Sequence, residues 1–220
     1  MSNVDVKAGI LVKDYNCIYI VNPKAGTSSI KSFIITELLN FKGEYSPHKF
    51  EFKIISNLEI SKANQYFKFT FVRNPWDRIV SCYNDKVTRY YVQKKDSGIF
   101  RGFSKYKAMS PGMSFDKFVE AICSIPDEKA NKHFKSQHSI CNFNNKPLFD
   151  FVGKLEDIDE DFNKLCLKLK FPSNTLPHRL KTSDKYKRGK AHYSEFYNKK
   201  TIKMIRKRYS EDIELFNYSF

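Results

Sequence analysis

The hydrophobic pattern of the chain predicts strands that alternate with helices. An apolar run at residues 17–21 has the length of a buried strand, and apolar positions then recur at helical spacing from Ile30 to Phe41. A second run, at residues 66–72, is rich in aromatic residues that favour strands, and a helical pattern follows it from Pro75. This alternation is typical of an α/β protein with a parallel sheet.

The remaining pattern predicts further elements of both kinds. We expect strands at residues 49–55 and 148–152, and helices at residues 56–63, 114–125, 158–169 and 200–209. Residues 175–191 form a basic stretch that reads as a loop. No internal repeat and no linker interrupts the chain. The prediction is therefore one α/β domain over residues 1–220, with a central parallel sheet flanked by helices.

The segment that joins the first strand to its helix carries candidate chemistry. It reads NPKAGTSS, with Lys24 before Gly26 and three hydroxyl residues after it. The first N–H groups of a helix have no partner within the helix, and the helix dipole adds positive charge there, so such a loop suits an anion. The loop differs from that of nucleotide triphosphatases, in which lysine follows the glycine. A phosphate cradle and an ordinary helix cap both remain open on this segment alone.

The second strand is followed by a comparable turn, RNPWDRIVSC. Asn74 suits an N-cap, Pro75 the first helical position, and Asp77 the first turn. Arg73 lies at the exit of the strand and Ser81 about one and a half turns into the helix, and both residue types bind phosphate oxygens. Two anion sites at neighbouring strand ends suit a ligand that carries phosphate at both ends.

Composition narrows the class of protein and of its partners. The chain has 220 residues, 41% of them hydrophobic, and no apolar run long enough for a membrane span. Its first residues do not resemble a signal peptide, and its five cysteines are scattered, so we expect a cytoplasmic protein with reduced cysteines. A net charge of +15 indicates an anionic partner, which nucleic acid, a membrane surface, a phosphorylated cofactor or an acidic polysaccharide would satisfy, or else a solvated lysine-rich surface.

Four segments together resemble the sulfotransferase family. PKAGTSS is similar to the family's 5′-phosphosulfate loop, and FVRNPWDRIVSCY to its 3′-phosphate segment. Residues 149–162 resemble a third shared stretch, while NKHFKSQHSIC and residues 209–220 resemble the carbohydrate branch, with its Golgi-like and polysaccharide 2-O- and 4-O-sulfotransferases. The resemblance implies a P-loop-kinase-like fold, and the missing membrane anchor suggests a soluble bacterial member.

The resemblance also implies a donor, an acceptor and site residues. The donor is 3′-phosphoadenosine 5′-phosphosulfate, released as adenosine 3′,5′-bisphosphate, and the acceptor is a carbohydrate or glycolipid hydroxyl, including anionic ones. The family needs no metal, and no nucleic-acid partner is expected, whereas peripheral contact with a membrane surface is compatible with the charge. The residues carried over are, for the 5′-phosphosulfate, Lys24, Ala25, Gly26, Thr27, Ser28 and Ser29, and for the 3′-phosphate, Arg73, Ser81 and, in the basic loop, Arg188.

In an in-line sulfuryl transfer the protein positions the reactants and stabilises the negative charge on the departing phosphate. We assign the stabilisation of this charge to Lys24. The acceptor hydroxyl needs a base, for which histidine or a carboxylate is suitable. His48 is the first candidate because related 2-O-sulfotransferases use a histidine in this region, His133 is the second, and Glu44 and Glu51 are alternatives. A mixed aromatic and basic group is the expected acceptor surface: Tyr90, Tyr91, Arg101, Phe103, Lys105 and Tyr106.

Two other functions compete with this prediction. A phosphotransferase on the same scaffold would account for the cradle, but the chain lacks Gly-Lys-[Ser/Thr] and a magnesium carboxylate after an apolar strand. A nucleic-acid-binding protein would account for the charge and would bind oligonucleotides with a steep salt dependence. It offers no reason for two phosphate loops at strand ends.

Overall fold

The computed structural model describes residues 7–88, 102–177 and 192–220. The chain divides into two compact units, one formed by residues 1–72 and 139–181 and the other by residues 73–138 and 182–220. The first unit contains the sheet and the second is helical in its described parts. The single domain expected from the sequence stays a prediction.

A mixed five-stranded sheet forms the centre of the first unit. Its strands are β1 (Lys7–Val12), β2 (Cys17–Ile20), β3 (Ile54–Ser56), β4 (Phe67–Val72) and β7 (Phe151–Lys154). Their order in the sheet is β3-β1-β2-β4-β7. β2 pairs in parallel with β4, and β4 pairs in parallel with β7, whereas β1 is antiparallel to both β2 and β3. A small hairpin of β5 (Asn142–Phe143) and β6 (Lys146–Pro147) lies outside this sheet.

The prediction of a wholly parallel sheet was wrong at one edge. The short apolar run of β1 was not recognised as a strand, and it ends only a few residues before β2 begins. A 3₁₀ turn at Lys13–Tyr15 and a left-handed Asn16, with φ of 47°, join the two strands. Such a short connection permits only an antiparallel pair, because a parallel pair needs a crossover of a dozen or more residues. The α/β class is correct, and the parallel order holds for β2, β4 and β7.

Helices and the sheet enclose two apolar clusters in the first unit. The helices are α1 (Thr27–Phe33), which continues as a π-helical turn over Ile34–Leu38, α2 (Asn57–Lys62) and α6 (Ile158–Leu169). Tyr19 of β2 packs in a cluster with Phe33 and Phe162, and the alternate residue Ile18 packs in another with Ile60 of α2. Successive side chains of a strand point to opposite faces, so both faces of the sheet are covered.

The second unit packs its helices around aromatic residues. Trp76, Phe118 and Phe134 share one buried cluster with Tyr209. The C-terminal ring of Phe220 lies edge-on to Trp76, with ring centroids 5.6 Å apart. The helices are α3 (Pro75–Tyr83), α4 (Phe115–Ser124), α7 (Lys199–Arg208) and α8 (Ser210–Leu215). A π-helical turn at Asn84–Thr88 follows α3, and 3₁₀ turns lie at Asp127–Lys129 and Tyr193–Phe196. The chain returns to the first unit within α5 (Gln137–Cys141).

Most predicted elements are confirmed to within a few residues, and N-cap residues explain where two of the helices begin. Asn74 accepts a hydrogen bond from the N–H of Trp76, and Ser114 accepts one from the N–H of Lys117. The strand expected at residues 49–55 is mostly wrong, since only residues 54–56 pair with the sheet. The preceding aromatic side chains pack against one another instead, as Phe50 and Phe52 do with ring centroids 4.9 Å apart.

The described helices are short and amphipathic, and α6, for example, has 12 residues. None of the helices within the described ranges is long and apolar enough to cross a membrane. Cys17 and Cys82 are buried, as expected for core residues. Burial raises the pKa of the Cys17 thiol to about 12, so this thiol stays protonated and unreactive near neutral pH.

Candidate active site

The chain leaves β2 through a tight turn with unusual backbone geometry. Pro23 occupies the second position of the turn, Lys24 the third with φ of 74°, and the N–H of Ala25 donates to the carbonyl of Asn22 at 3.4 Å. These features match a type II turn, in which the third position normally needs glycine or asparagine. A lysine held in the left-handed region is a strained residue, and such residues cluster at functional sites.

Gly26 follows as the N-cap of α1 and also has φ of 74°. Its carbonyl accepts hydrogen bonds from the N–H groups of Ser29 and Ile30, which starts the helix. A Cβ at this position would lie 3.1 Å from Cδ1 of Leu155, so the backbone passes close to the stretch after β7. Left-handed residues in a turn gather successive N–H groups into a concave anion-binding surface, to which the first turn of α1 adds its own N–H groups.

Buried polar groups brace this cradle, which we define as residues 22–29. The hydroxyl of Thr27 donates to the carbonyl of Asn22 at 2.6 Å and lies 3.4 Å from the hydroxyl of Tyr19. Burial raises the pKa of Tyr19, so its phenol stays protonated and able to donate. The side-chain amide of Asn22 donates to the carbonyl of Phe71 at 3.1 Å. The cradle is thereby tied to both β2 and β4.

The structure brings His48 to the cradle. Its Nε2 lies 2.9 Å from Oγ of Ser28, within hydrogen-bond distance. His48 is exposed and lies in a turn that closes when the N–H groups of Lys49 and Phe50 donate to the carbonyl of Ser46. Ser28 and His48 are 20 residues apart in the chain, so sequence spacing alone did not predict their contact.

The second predicted anion segment lies in the second unit, where Arg73 is held by Asp77. Nε and Nη2 of Arg73 each donate to one carboxylate oxygen of Asp77 at 2.8 Å, and the Arg73 side chain is 19% exposed. This two-point contact fixes the plane of the guanidinium. Ser81 is half-buried on α3, one helical turn beyond Asp77, and therefore lies on the same face of the helix.

Arg78 is a structural residue for which no role was predicted from the sequence. It is 1% exposed, and its guanidinium donates to the carbonyls of Lys135 and Lys132 at 2.7 and 3.3 Å. The candidate base His133 is half-buried and lies between these two lysines in the chain. Its backbone N–H donates to Oδ1 of Asn131 at 3.1 Å. A charged residue within the otherwise apolar buried face of α3 was the available signal in the sequence.

The prediction that Phe103 belongs to an acceptor surface is wrong. This ring is 1% exposed and packs against Phe118 and Phe134 in the core of the second unit. Tyr106 is half-buried, and its hydroxyl donates to the carbonyl of Lys129 at 2.7 Å, while Lys105 is exposed. Four other predicted residues lie outside the described part of the chain: Tyr90, Tyr91, Arg101 and Arg188.

No group of three or more His, Cys, Asp or Glu side chains that could hold a metal ion occurs among the described residues. The donor set of the cradle consists of backbone N–H groups, hydroxyls and a lysine. These groups bind anionic oxygens. The chemistry of the cradle therefore fits the phosphosulfate end of the expected donor.

A family model described as "Sulfotransferase family" matches residues 10–219. The chain belongs to the sulfotransferase family. It is accordingly an enzyme that transfers a sulfuryl group, with 3′-phosphoadenosine 5′-phosphosulfate as the family's donor. The sequence-based identification is confirmed at this level. The finding disfavours both the phosphotransferase and the nucleic-acid-binding alternatives.

Curated relatives lie in one branch of the family. Carbohydrate sulfotransferase 11 of Rattus norvegicus is 26% identical over 253 residues, which cover 98% of this chain and 68% of the relative. Carbohydrate sulfotransferase 14 of Mus musculus is 28% identical over 173 residues, covering 71% and 45%. Carbohydrate sulfotransferase 8 of Homo sapiens is 24% identical over 238 residues, covering 96% and 55%. The chain thus spans roughly half to two thirds of the length of these relatives, and no solved structure is significantly similar to it.

The cradle geometry predicts that Gly26→Ala weakens donor binding. A Cβ at φ of 74° is strained and approaches Leu155, so the turn and the first N–H groups of α1 should shift. We expect adenosine 3′,5′-bisphosphate to bind at least tenfold more weakly by calorimetric titration. Gly112→Ala is the matched control, because Gly112 has φ of 72° outside the cradle and should lose stability without losing affinity. Equal affinities for Gly26→Ala and wild type would contradict this role of the cradle.

Proposed function

We propose that the protein transfers a sulfuryl group from 3′-phosphoadenosine 5′-phosphosulfate to a hydroxyl of an anionic carbohydrate, on a P-loop-kinase-like scaffold. The relatives named as carbohydrate sulfotransferases support the acceptor class. The observation that carries the mechanism is the 2.9 Å contact of His48 Nε2 with Ser28 Oγ. It joins a candidate base to a hydroxyl of the cradle.

In this proposal each end of the donor has its own residues. The cradle, from Lys24 to Ser29, binds the 5′-phosphosulfate through backbone N–H groups and hydroxyls. Arg73 and Ser81 bind the 3′-phosphate, the first through its planar guanidinium and the second as a neutral donor. The ion pair with Asp77 supports this assignment, because it holds the guanidinium in one orientation before the ligand arrives.

The reaction is a single in-line displacement at sulfur. The acceptor oxygen forms a bond to sulfur while its proton passes to His48. The bond between sulfur and the bridging oxygen breaks, and its electron pair remains on the departing phosphate. Lys24 stabilises the negative charge that develops there. Adenosine 3′,5′-bisphosphate and the sulfated acceptor leave, and His48 returns its proton to water.

We prefer His48 to the other candidates for the base because of its position. In this proposal the Ser28 hydroxyl binds a sulfuryl oxygen of the donor. The same hydroxyl lies 2.9 Å from Nε2 of His48. An acceptor hydroxyl that attacks sulfur is then within reach of His48. The carboxylate alternatives Glu44 and Glu51 are exposed residues of the same loop.

A further candidate acceptor surface lies beside His48 in the chain. We define it as the aromatic segment, formed by Phe41, Tyr45, Phe50 and Phe52. Phe41 is 39% exposed and lies edge-on to Phe50, with ring centroids 5.3 Å apart. Because His48 lies between Tyr45 and Phe50 in the chain, a sugar that stacks on these rings presents its hydroxyl near the base.

The charge around the aromatic segment favours an anionic sugar. Lys42, Lys49 and Lys53 are exposed on the loop, and Lys31 Nζ lies 5.3 Å from the ring centroid of Phe52. Only Glu44 and Glu51 oppose them within residues 41–53. Sulfate or carboxylate groups of an acceptor would be attracted to this excess of positive charge. The cytoplasmic location and the bacterial origin stay predictions.

Binding of adenosine 3′,5′-bisphosphate tests the donor assignment. We expect wild-type affinity in the micromolar range, about −8 kcal/mol, and a loss of about 10- to 100-fold in Arg73→Ala, because a charged hydrogen bond to phosphate disappears. Arg206→Ala removes an exposed arginine of α7 and serves as the control for net charge. Absence of binding in the wild type, or the same affinity in Arg73→Ala, would refute the assignment.

Initial rates with labelled donor test the base. His48→Asn should lower kcat by about 10²- to 10⁴-fold, the range for a general base, while bisphosphate affinity stays within about twofold. The acidic limb of the kcat pH profile, which reports deprotonation of the base in the complex, should disappear. His133→Asn is measured in parallel. A loss of rate in that variant and not in His48→Asn would transfer the role to His133.

Acceptor kinetics test the aromatic segment. Phe41→Ala should raise KM for a uronic-acid-containing oligosaccharide severalfold with little change in kcat, since stacking stabilises ground state and transition state alike. Leu215→Ala is the control, because Leu215 is 42% exposed and lies in the second unit. A neutral oligosaccharide of equal length should be the poorer substrate. An unchanged KM in Phe41→Ala would place the acceptor elsewhere.

A further inference from the structure

We propose that Gln137 and Asp212 are positioning residues that set the backbone of Arg73 for recognition of the 3′-phosphate. This inference rests on the proposed role of Arg73 in donor binding. Each contact that supports it lies within the second unit. Neither Gln137 nor Asp212 was predicted from the sequence to belong to the donor site.

The side chain of Gln137 pairs with the backbone of Arg73 in both directions. The N–H of Arg73 donates to Oε1 of Gln137 at 2.9 Å, and Nε2 of Gln137 donates to the carbonyl of Arg73 at 2.8 Å. Gln137 is fully buried. Its amide therefore provides the hydrogen-bond partners of the Arg73 backbone directly after the end of β4. A different orientation of the Arg73 backbone would break these two buried hydrogen bonds.

Asp212 in turn fixes Gln137. Its two carboxylate oxygens accept hydrogen bonds from the N–H groups of Gln137, at 2.9 Å, and His138, at 2.7 Å. Asp212 is fully buried, and burial raises the pKa of its carboxyl, while these two hydrogen bonds act in the opposite direction. The carboxylate thus caps the start of α5 from the distant helix α8 and sets the point from which the Gln137 side chain reaches Arg73.

Burial of these polar groups costs free energy of folding. A buried carboxylate and a buried amide lose hydration, and well-packed apolar residues of similar volume often give equal or greater stability. What the polar groups provide is orientation, since each hydrogen bond fixes a direction as well as a distance. Here the directed bonds end at Arg73, whose guanidinium forms a two-point contact with Asp77. A small displacement of a binding group is enough to weaken recognition strongly.

The experiment compares two ligands that differ by one phosphate. We measure the affinities of adenosine 3′,5′-bisphosphate and of AMP, which lacks the 3′-phosphate, for the full chain and its variants by calorimetric competition. Gln137→Met keeps the shape of the side chain and removes both hydrogen bonds to Arg73. We expect the preference for the bisphosphate over AMP to fall about tenfold, with AMP affinity unchanged.

Three further variants make the result decisive. Gln137→Glu removes the amide that donates to the Arg73 carbonyl, and it should also lower the preference for the bisphosphate. Ser136→Ala is the matched control, because Ser136 is a buried neighbour of Gln137 in the chain whose hydroxyl donates to Asp127 at 2.8 Å. In an Arg73→Ala background, Gln137→Met should cause no further loss of preference, since there is no guanidinium left to position.

The outcomes separate this proposal from the proposed function. If Gln137→Met melts like wild type and keeps the full preference for the bisphosphate, or loses affinity for both ligands equally, the positioning role is refuted. If Arg73→Ala leaves the preference unchanged, the role of Arg73 itself fails and the positioning role fails with it. A drop in preference for Gln137→Met together with an unchanged preference for Ser136→Ala supports the inference.

Discussion

The parallel pairing of β2 with β4 is the interaction on which the candidate site depends. Cys17 lies opposite Phe67 and Tyr19 opposite Phe69, so the carboxyl ends of both strands lie on the same side of the sheet. Side chains reinforce the pair there, because Asn22 donates to the carbonyl of Phe71 and Thr70 donates to the carbonyl of Ile20 at 3.0 Å. The strands are also buried on both faces, which leaves little freedom in their register.

Each of these strands continues into residues that suit an anion. After β2 the chain enters the cradle, where a left-handed Lys24 and a left-handed Gly26 direct the backbone into α1. After β4 the next residue is Arg73, and the cap at Asn74 begins α3 immediately. Helix starts that follow parallel strands are where α/β proteins bind phosphate, because N–H groups and helix dipoles converge there.

Polar groups in the two units serve orientation as much as stability. In the first unit, Thr27 and Asn22 use their hydrogen bonds to hold the cradle, and Ser28 is left to meet His48. In the second unit, Arg78 organises a loop through carbonyl groups, while Gln137 holds the backbone of Arg73. In each unit a residue that we propose to bind the donor is supported by hydrogen bonds of a buried residue, Asn22 in the first unit and Gln137 in the second. That arrangement is expected of a preorganised site.

The local elements of this protein were predictable from short stretches of its sequence. Cap residues, proline at the first helical position and apolar periodicity act over a few residues, so α3, α4 and α6 and the strand before Arg73 were predictable. The cradle motif and the Arg73 segment likewise identified the family. Four features became visible only in the folded chain: the antiparallel strand β1, the burial of Phe103, the contact of His48 with Ser28 and the network from Asp212 to Arg73. These features join residues that are far apart in the chain, or depend on which surfaces become buried, and neither property is encoded in the spacing of a single segment.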